Sequence, residues 1–133
     1  MLPGASGQQN PERARLHEMM AVSEAERTVA DARMAELAAA QMAAWRRHRA
    51  AKGLVTRALK DGSAEKIAAA RDRERQAYAN AAAIADAGIS EMFVLNRAGL
   101  DRLGELNQQI GTTWAADAAR LDAILGRDAE PGQ

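Results

Sequence analysis

The two histidines are the first residues to weigh as ligands or catalytic bases, because imidazole titrates near neutral pH and binds metals. A helix-borne di-iron site needs Glu-x-x-His pairs, in which a glutamate stands three residues before each histidine. Ala14 stands three residues before His17, and Trp45 stands three residues before His48. The sequence therefore predicts neither a ferritin-like di-iron site nor any other metal site.

Motifs for nucleophilic or phosphate chemistry are also missing. The chain has no cysteine, which removes thiolate nucleophiles, disulfides and cysteine-based zinc sites. No serine stands in a Gly-x-Ser-x-Gly context. Gly99 and Gly104 have the spacing of a phosphate-binding loop, but Glu105 stands where that loop needs lysine. We therefore expect no catalytic residue, cofactor or small-molecule substrate. An enzyme is only a third hypothesis, since a helical bundle can host a site that no linear motif reveals.

Basic residues are concentrated in the middle of the chain. Residues 46–75 contain ten bases and four acids, although the whole chain has 18 of each. On a helical wheel, the four bases that we call the basic wedge fall within one narrow sector: Arg46, Arg49, Arg57 and Lys60. Such a sector can be a solvated face with Arg–Glu pairs, or it can dock on an acidic protein surface or on phosphates. No aromatic residue interleaves the arginines and no DNA-binding motif is present, so a protein partner is favoured over nucleic acid.

Three further residues complete the candidate partner-binding set. Arg47 adjoins the basic wedge, and Trp45 and Met19 belong to the few bulky apolar residues of the chain. Methionine adapts to irregular partner surfaces. Because Met19 and Met20 are consecutive, both cannot face inward in a two-helix hairpin, and one of them is expected to be an exposed contact.

The elements that would carry these residues are helices. Asn10 is a good N-cap and Pro11 suits the first helical position. Apolar residues then recur at steps of three and four to about residue 60. Asp61 and Gly62 form the clearest break, and a second helical region spans residues 64–125. The residues expected to face inward are Leu16, Met20, Val29, Met34, Leu37, Met42, Trp45, His48, Val55 and Leu59, followed by Ile67, Ala70, Tyr78, Ala81, Ala85, Met92, Leu95, Leu103, Leu106, Ile110, Trp114, Ala118, Leu121 and Ile124, with Glu74 in the same register.

These elements predict an all-α fold with two possible architectures. One is a long antiparallel, coiled-coil-like hairpin of two helices, with its turn at residues 61–63. The other is a small bundle of three or four helices broken near Gly88 or Gly99, because glycine followed by an apolar residue is typical of a helix end. The hairpin is favoured, since the three/four rhythm continues through the glycines. Residues 91–96 would form a strand only if a partner supplied its neighbour.

The two ends of the chain are polar. We expect residues 1–9 and 127–133 to form disordered tails around a helical domain at residues 10–126. No segment resembles a signal peptide or reaches the length of a membrane span, and the lack of cysteine fits a reducing compartment. The default expectation is a cytoplasmic protein, and assembly into a larger particle or complex is compatible with the same features.

In outline, the chain resembles two groups of proteins in its alanine-rich composition and its length. It is similar to the coiled-coil hairpin stalk proteins of type III secretion export, which pair a long N-terminal helix with a longer C-terminal one. It also resembles alanine-rich helical phage virion components. The leading hypothesis is a non-enzymatic helical interaction or assembly subunit, which binds protein partners or copies of itself through an apolar seam and the basic wedge. The alternative is a nucleic-acid-binding helical protein that uses residues 46–75.

Overall fold

The computed structural model describes residues 10–126, which form a hairpin of two long α-helices packed against each other, with no strand in that range. Helix α1 spans Pro11–Asp61 and helix α2 spans Ala64–Leu125. The all-α hairpin is therefore confirmed, and the broken bundle is not formed. Helix α2 runs through Gly88 and Gly99, and residues 91–96 are helical. The predicted tails, residues 1–9 and 127–133, lie outside the described residues.

Local chemistry explains why the chain reverses after Asp61. Gly62 adopts a φ of +77°, a conformation that glycine reaches without the steric cost of a Cβ atom, and its N–H donates to the Ala58 carbonyl at 3.0 Å. Ser63 then caps α2, since its hydroxyl oxygen accepts from the Lys66 N–H at 3.5 Å. A glycine C-cap followed at once by a serine N-cap makes this the tight end of the hairpin.

The contacts within the chain divide it into two units. The first, which we call the terminal unit, combines the residues up to Thr28 with those from Arg97 onward. The second, which we call the central unit, spans Val29–Asn96. Each unit contains a stretch of α1 and a stretch of α2, but the two bury different kinds of residue.

The core of the central unit is made of alanine. Ala44 is 1% exposed and Ala81 is fully buried, yet no large side chain in the described residues is fully buried. Small side chains allow two helix backbones to approach closely, at the short end of the usual interaxial range. The buried apolar residues of the described chain all lie in this unit: Ala30, Ala44, Ala51, Ala58, Ala70 and Ala81.

The seam residues of α1 in the central unit recur every seven positions. Ala30, Ala44, Ala51 and Ala58 keep this interval, and the half-buried Leu37 fills the remaining place. A strict seven-residue repeat is typical of a left-handed coiled coil, because it corresponds to 3.5 residues per turn. The hairpin seam is therefore coiled-coil-like in spacing, with alanine where such seams usually carry leucine.

Gly88 of α2 lies at a point of close approach. A Cβ atom built on it would come within 2.6 Å of Gln41 Nε2, on the opposite helix. That amide nitrogen is buried and has no hydrogen-bond partner among the described residues. The glycine that the sequence marked as a possible helix break therefore makes room for the Gln41 side chain instead.

Several residues expected to face inward are exposed, and this is a correction to the sequence analysis. The seam runs along a neighbouring position, which is usually small or polar: Ala58 is buried instead of Leu59, and Thr113 instead of Trp114. Because the two helix backbones pack closely along this seam, the bulky side chains next to it lie on the outer faces. The exposed residues of the predicted inward set are Met20, Val29, Met42, Leu59, Tyr78, Leu103, Trp114, Ala118, Leu121 and Ile124.

The remaining inward-facing predictions agree with the structure. The half-buried residues include Leu16, Met34, Leu37, Val55, Ile67, Leu95 and Leu106, and the predicted charged exception, Glu74, is half-buried with them.

The terminal unit is held by hydrogen bonds that we call the polar clasp. Asn10 Oδ1 accepts from the Glu12 N–H at 2.9 Å, which caps α1. The Asn10 amide nitrogen donates to the Thr113 carbonyl at 3.1 Å and to Asp117 Oδ1 at 2.9 Å, both on α2. Gln109 Nε2 donates to Glu12 Oε2 at 2.7 Å. The residue that begins α1 thus also fixes its position against α2.

The polar clasp is buried to an unusual degree for its composition. Asn10, Gln109 and Thr113 are each less than a tenth exposed, and each has hydrogen-bond partners. The Thr113 hydroxyl donates to the Gln109 carbonyl at 2.8 Å. Buried polar groups are tolerated when they are hydrogen-bonded in this way. A different register of the two helices would leave them buried without partners, which costs free energy.

Acid should weaken the polar clasp through Asp117. The Asn10 amide, and then the Arg13 guanidinium, hold the pKa of this carboxyl below its ordinary value. Because folding lowers this pKa, the stability contributed by Asp117 is present above its unfolded pKa of about 4 and is lost as pH falls through the folded pKa. We expect Asp117→Asn to be less stable than wild type at neutral pH, and the difference to shrink in acid.

Urea unfolding at a series of pH values, followed by circular dichroism, measures this effect. Asp31→Asn removes an exposed carboxylate from the central unit and serves as the control. Stability curves of Asp117→Asn and wild type that stay parallel through the acid range would contradict the assignment.

Candidate interaction surface

The basic wedge lies on the exposed side of α1, opposite the alanine seam. Its four residues are exposed, whereas Ala51 and Ala58, on the other side of the same turns, are buried. This arrangement follows from the helical period, since positions 46, 49, 57 and 60 fall close together on the wheel. Arg46, Arg49, Arg57 and Lys60 form no ion pair with any of residues 10–126.

Arg47, the fifth basic residue of the candidate set, is also exposed and forms no ion pair with the described part of the chain. The interpretation of this face as a row of Arg–Glu pairs therefore does not hold for these five residues. Arginines elsewhere do pair. Arg33 binds the Glu91 carboxylate with two of its nitrogens, one of them Nη2 at 2.9 Å, and this raises the pKa of Arg33.

Gly53 lies at the centre of the basic wedge, four residues from both Arg49 and Arg57. It is exposed, and a Cβ atom added to it would meet nothing within 4 Å. Glycine within a helix costs about 1 kcal/mol relative to alanine. Because no neighbour in the described chain needs this space, the glycine leaves bare backbone at the middle of a basic face.

The structure brings two α2 cations to the edge of this surface. An open groove of about 420 Å³ is lined by residues of both helices, including Leu54 and Arg57 of α1 and Lys66 and Arg73 of α2. Lys66 is paired with Asp61 at 3.0 Å. Arg73, like Arg57, forms no ion pair within residues 10–126. Only the pairing of the two helices shows that Arg57 and Arg73 line one groove.

Trp45 belongs to a ring cluster at the edge of the seam. Its ring meets His48 edge-on at 5.8 Å and Tyr78 edge-on at 5.7 Å, measured between ring centroids. His48 Nε2 lies 3.5 Å from Glu74 Oε1, which forms an ion pair when the imidazole is protonated. Sequence reasoning noted Glu74 as the charged member of the seam, but the partner of Glu74 is visible only once the helices are paired.

Met19 lies in the terminal unit, whereas the other candidate residues belong to the central unit. It is half-buried and lines a shallow groove of about 300 Å³ together with Val22, Leu106 and the ion pair of Arg102 with Glu26. Met20, which was expected inside, is 52% exposed. One of the two consecutive methionines is indeed exposed, but it is Met20.

The chemistry available on these surfaces is electrostatic and apolar contact. Among residues 10–126, no three His, Asp or Glu side chains are grouped so that they could hold a metal ion. Neither helix, over the described residues, has a stretch apolar enough to cross a bilayer. What the geometry does present is a basic face with exposed backbone at its centre.

Comparisons with protein-family models, with curated proteins and with solved structures find no match to this chain.

Proposed function

We propose that this chain is a non-enzymatic helical interaction subunit of a larger protein complex, and that the basic wedge docks on an acidic surface of a protein partner. The observation that carries the proposal is the row of exposed cations around Gly53, which form no ion pair with any of residues 10–126. Unpaired arginines on a rigid helix contribute to association because they lose no internal partner when an acidic surface arrives.

Gly53 favours a partner that approaches closely, such as an acidic helix laid across α1. A side chain at this position would hold such a helix away from the backbone, whereas glycine lets the flanking arginines reach carboxylates on both sides.

Nucleic acid is the second candidate, because the same cations can bind phosphates. Binding of single strands depends largely on aromatic side chains that stack on bases. Trp45 is the only aromatic residue beside the wedge, and its ring is engaged with His48 and Tyr78. This contact favours a protein partner over single-stranded nucleic acid.

Charge reversal of the wedge tests the proposal. The probe is a fluorescent alanine-rich helical peptide with glutamates along one face, and binding is followed by anisotropy at increasing salt. We expect the Arg46→Glu, Arg49→Glu variant to bind at least about tenfold more weakly than wild type, which corresponds to about 1.4 kcal/mol. Salt should weaken wild-type binding, because exposed charges are screened.

The matched control is Arg15→Glu, Arg27→Glu, which makes the same change in net charge with two exposed arginines of the terminal unit. Equal loss in both variants would mean that only overall charge matters, and the wedge would be dismissed as a site. A DNA duplex of similar charge is measured in parallel. Tighter binding of the duplex than of the peptide, with the steep salt dependence of counterion release, would favour the nucleic-acid alternative.

A further inference from the structure

The described part of the terminal unit contains no fully buried apolar side chain. Within residues 10–28 and 97–126, the buried residues are the polar Asn10, Gln109 and Thr113. Several large apolar side chains of the same unit are exposed, among them Trp114 at 71% and Leu100 at 65%, whereas Leu16 and Leu106 are half-buried. An exposed set of this size in one helical segment indicates a surface that is covered by another molecule.

The exposed residues of α2 form a second seam, which we call the outer seam. It occupies positions 100, 104, 107, 111, 114, 118, 121 and 125, which alternate in steps of four and three. All eight residues are exposed, and none is charged, in a chain of which 27% is charged. Steps of four and three give the 3.5-residue period of coiled coils, the same period that the packed α1 seam of the central unit shows.

In its middle part, residues 104–121, the outer seam places small residues where a second copy would bring large ones. In an antiparallel pair related by a twofold axis near residues 112 and 113, Trp114 lies opposite Gly111, and Leu121 lies opposite Gly104. In a parallel pair, Trp114 would meet Trp114 and each glycine would meet the same glycine. That arrangement would be overpacked in one layer and empty in the next.

Both glycines are free to accept a large neighbour. A Cβ atom at Gly104 or at Gly111 would meet nothing within 4 Å in the described chain, so neither glycine is needed for the packing of the hairpin. Each costs about 1 kcal/mol in helix propensity relative to alanine. A physical reason for both glycines is that they leave room for an aromatic or leucine side chain of a second molecule.

Residues 1–9 and 127–133 carry few apolar side chains with which to cover this seam. Residues 1–9 contain only Met1 and Leu2 as large apolar residues, and residues 127–133 contain none. A second copy, in contrast, brings a complementary seam of the same length.

We infer that the protein associates with itself through the outer seam, by antiparallel pairing of α2 with α2 of a second copy. Each copy places Trp114 over Gly111 and Leu121 over Gly104 of the other. This goes beyond the basic wedge and does not depend on it, because the wedge lies in the central unit and the outer seam lies in the terminal unit.

Substitution of the seam glycines gives the sharpest test on the full chain. Light scattering after size exclusion, or sedimentation equilibrium, gives the dimer Kd of wild type and of Gly111→Leu and Gly104→Leu. Leucine raises helix propensity at both positions and adds exposed apolar area, so a nonspecific aggregate would become tighter. We expect the opposite, at least about a tenfold weaker dimer, because the added side chain fills the space that Trp114 or Leu121 needs.

Gly53→Leu is the matched control, since Gly53 is also exposed and its Cβ would also meet open space. We expect it to leave the dimer unchanged and to weaken binding of the acidic peptide, whereas Gly111→Leu does the reverse. The two proposals therefore fail separately. A wild-type chain that stays monomeric to about 100 μM, or a dimer that tolerates both seam substitutions, would overturn the inference.

Disulfide trapping tests the antiparallel pairing, because the native chain has no cysteine. In the proposed antiparallel pair Asn107 lies opposite Ala118, so cysteines at these two positions are expected to meet the Cβ separation that a disulfide requires. Chains carrying Asn107→Cys, mixed with chains carrying Ala118→Cys, should form the mixed disulfide on mild oxidation. Cross-linking of Asn107→Cys to itself instead would indicate parallel pairing and would overturn the proposed geometry.

Discussion

Ala81→Leu is expected to destabilise the hairpin more than any other single substitution considered for the central unit. Ala81 is fully buried at the point where α2 meets α1, and the seam around it is built from alanines. The added leucine atoms have no cavity to enter, so the helices must separate or the side chain must adopt a strained rotamer. We expect a loss of about 3 kcal/mol in the free energy of unfolding.

Urea unfolding at fixed chain concentration, followed by far-ultraviolet circular dichroism, measures this loss. Ala83→Leu, at an exposed position of the same helix, is the control and should change stability by less than about 0.5 kcal/mol. Equal midpoints for Ala81→Leu and wild type would show that the helices are not in close contact at this position.

Asn10→Ala is expected to be the most damaging substitution in the terminal unit. It removes the cap of α1 together with both hydrogen bonds that the Asn10 amide donates to α2, at 3.1 Å and 2.9 Å. Loss of an N-cap and of buried hydrogen bonds should together cost about 2 kcal/mol. Thermal and urea unfolding measure the loss, and Asn80→Ala, at an exposed mid-helix position, is the control.

Asn10→Asp separates the two roles of Asn10. Aspartate caps a helix as well as asparagine does, but it cannot donate, and it places a second carboxylate beside Asp117. We expect Asn10→Asp to be destabilised at neutral pH, and the deficit to shrink as acid protonates one of the two carboxyl groups. A variant as stable as wild type at neutral pH would mean that only the cap matters and that the contact with α2 contributes nothing.

The helices and the turn could be predicted from the sequence because their determinants are local. Asn10 and Pro11 mark the start of α1, and Gly62 reverses the chain because only glycine adopts its φ at low cost. The hairpin was also favoured correctly over the bundle, since the apolar rhythm continues through Gly88 and Gly99. An isolated glycine in an alanine-rich helix lowers helix propensity by about 1 kcal/mol, which the many helix-forming neighbours offset.

The basic wedge could be placed on one helix face for the same reason. Residues 46, 49, 57 and 60 share a sector of any α-helix, whatever packs against it. The groove that joins Arg57 to Arg73 could not be found in this way, because the two residues belong to different helices and meet only through the pairing of those helices. The contact of His48 with Glu74 has the same origin.

The sequence by itself determined that this chain is helical, where it turns, and which side of α1 is basic, because propensity, capping and helical period act over a few residues. The tertiary structure alone decided which face of each helix became the seam. In an alanine-rich helix, neighbouring faces are both apolar, so hydropathy ranks Trp114 and Leu59 as better core residues than Thr113 and Ala58. Close approach of two backbones reverses that order, because small side chains fit between the helices and large ones do not. Trp114 and Leu59 are therefore left on the outside, and Trp114 becomes part of the outer seam.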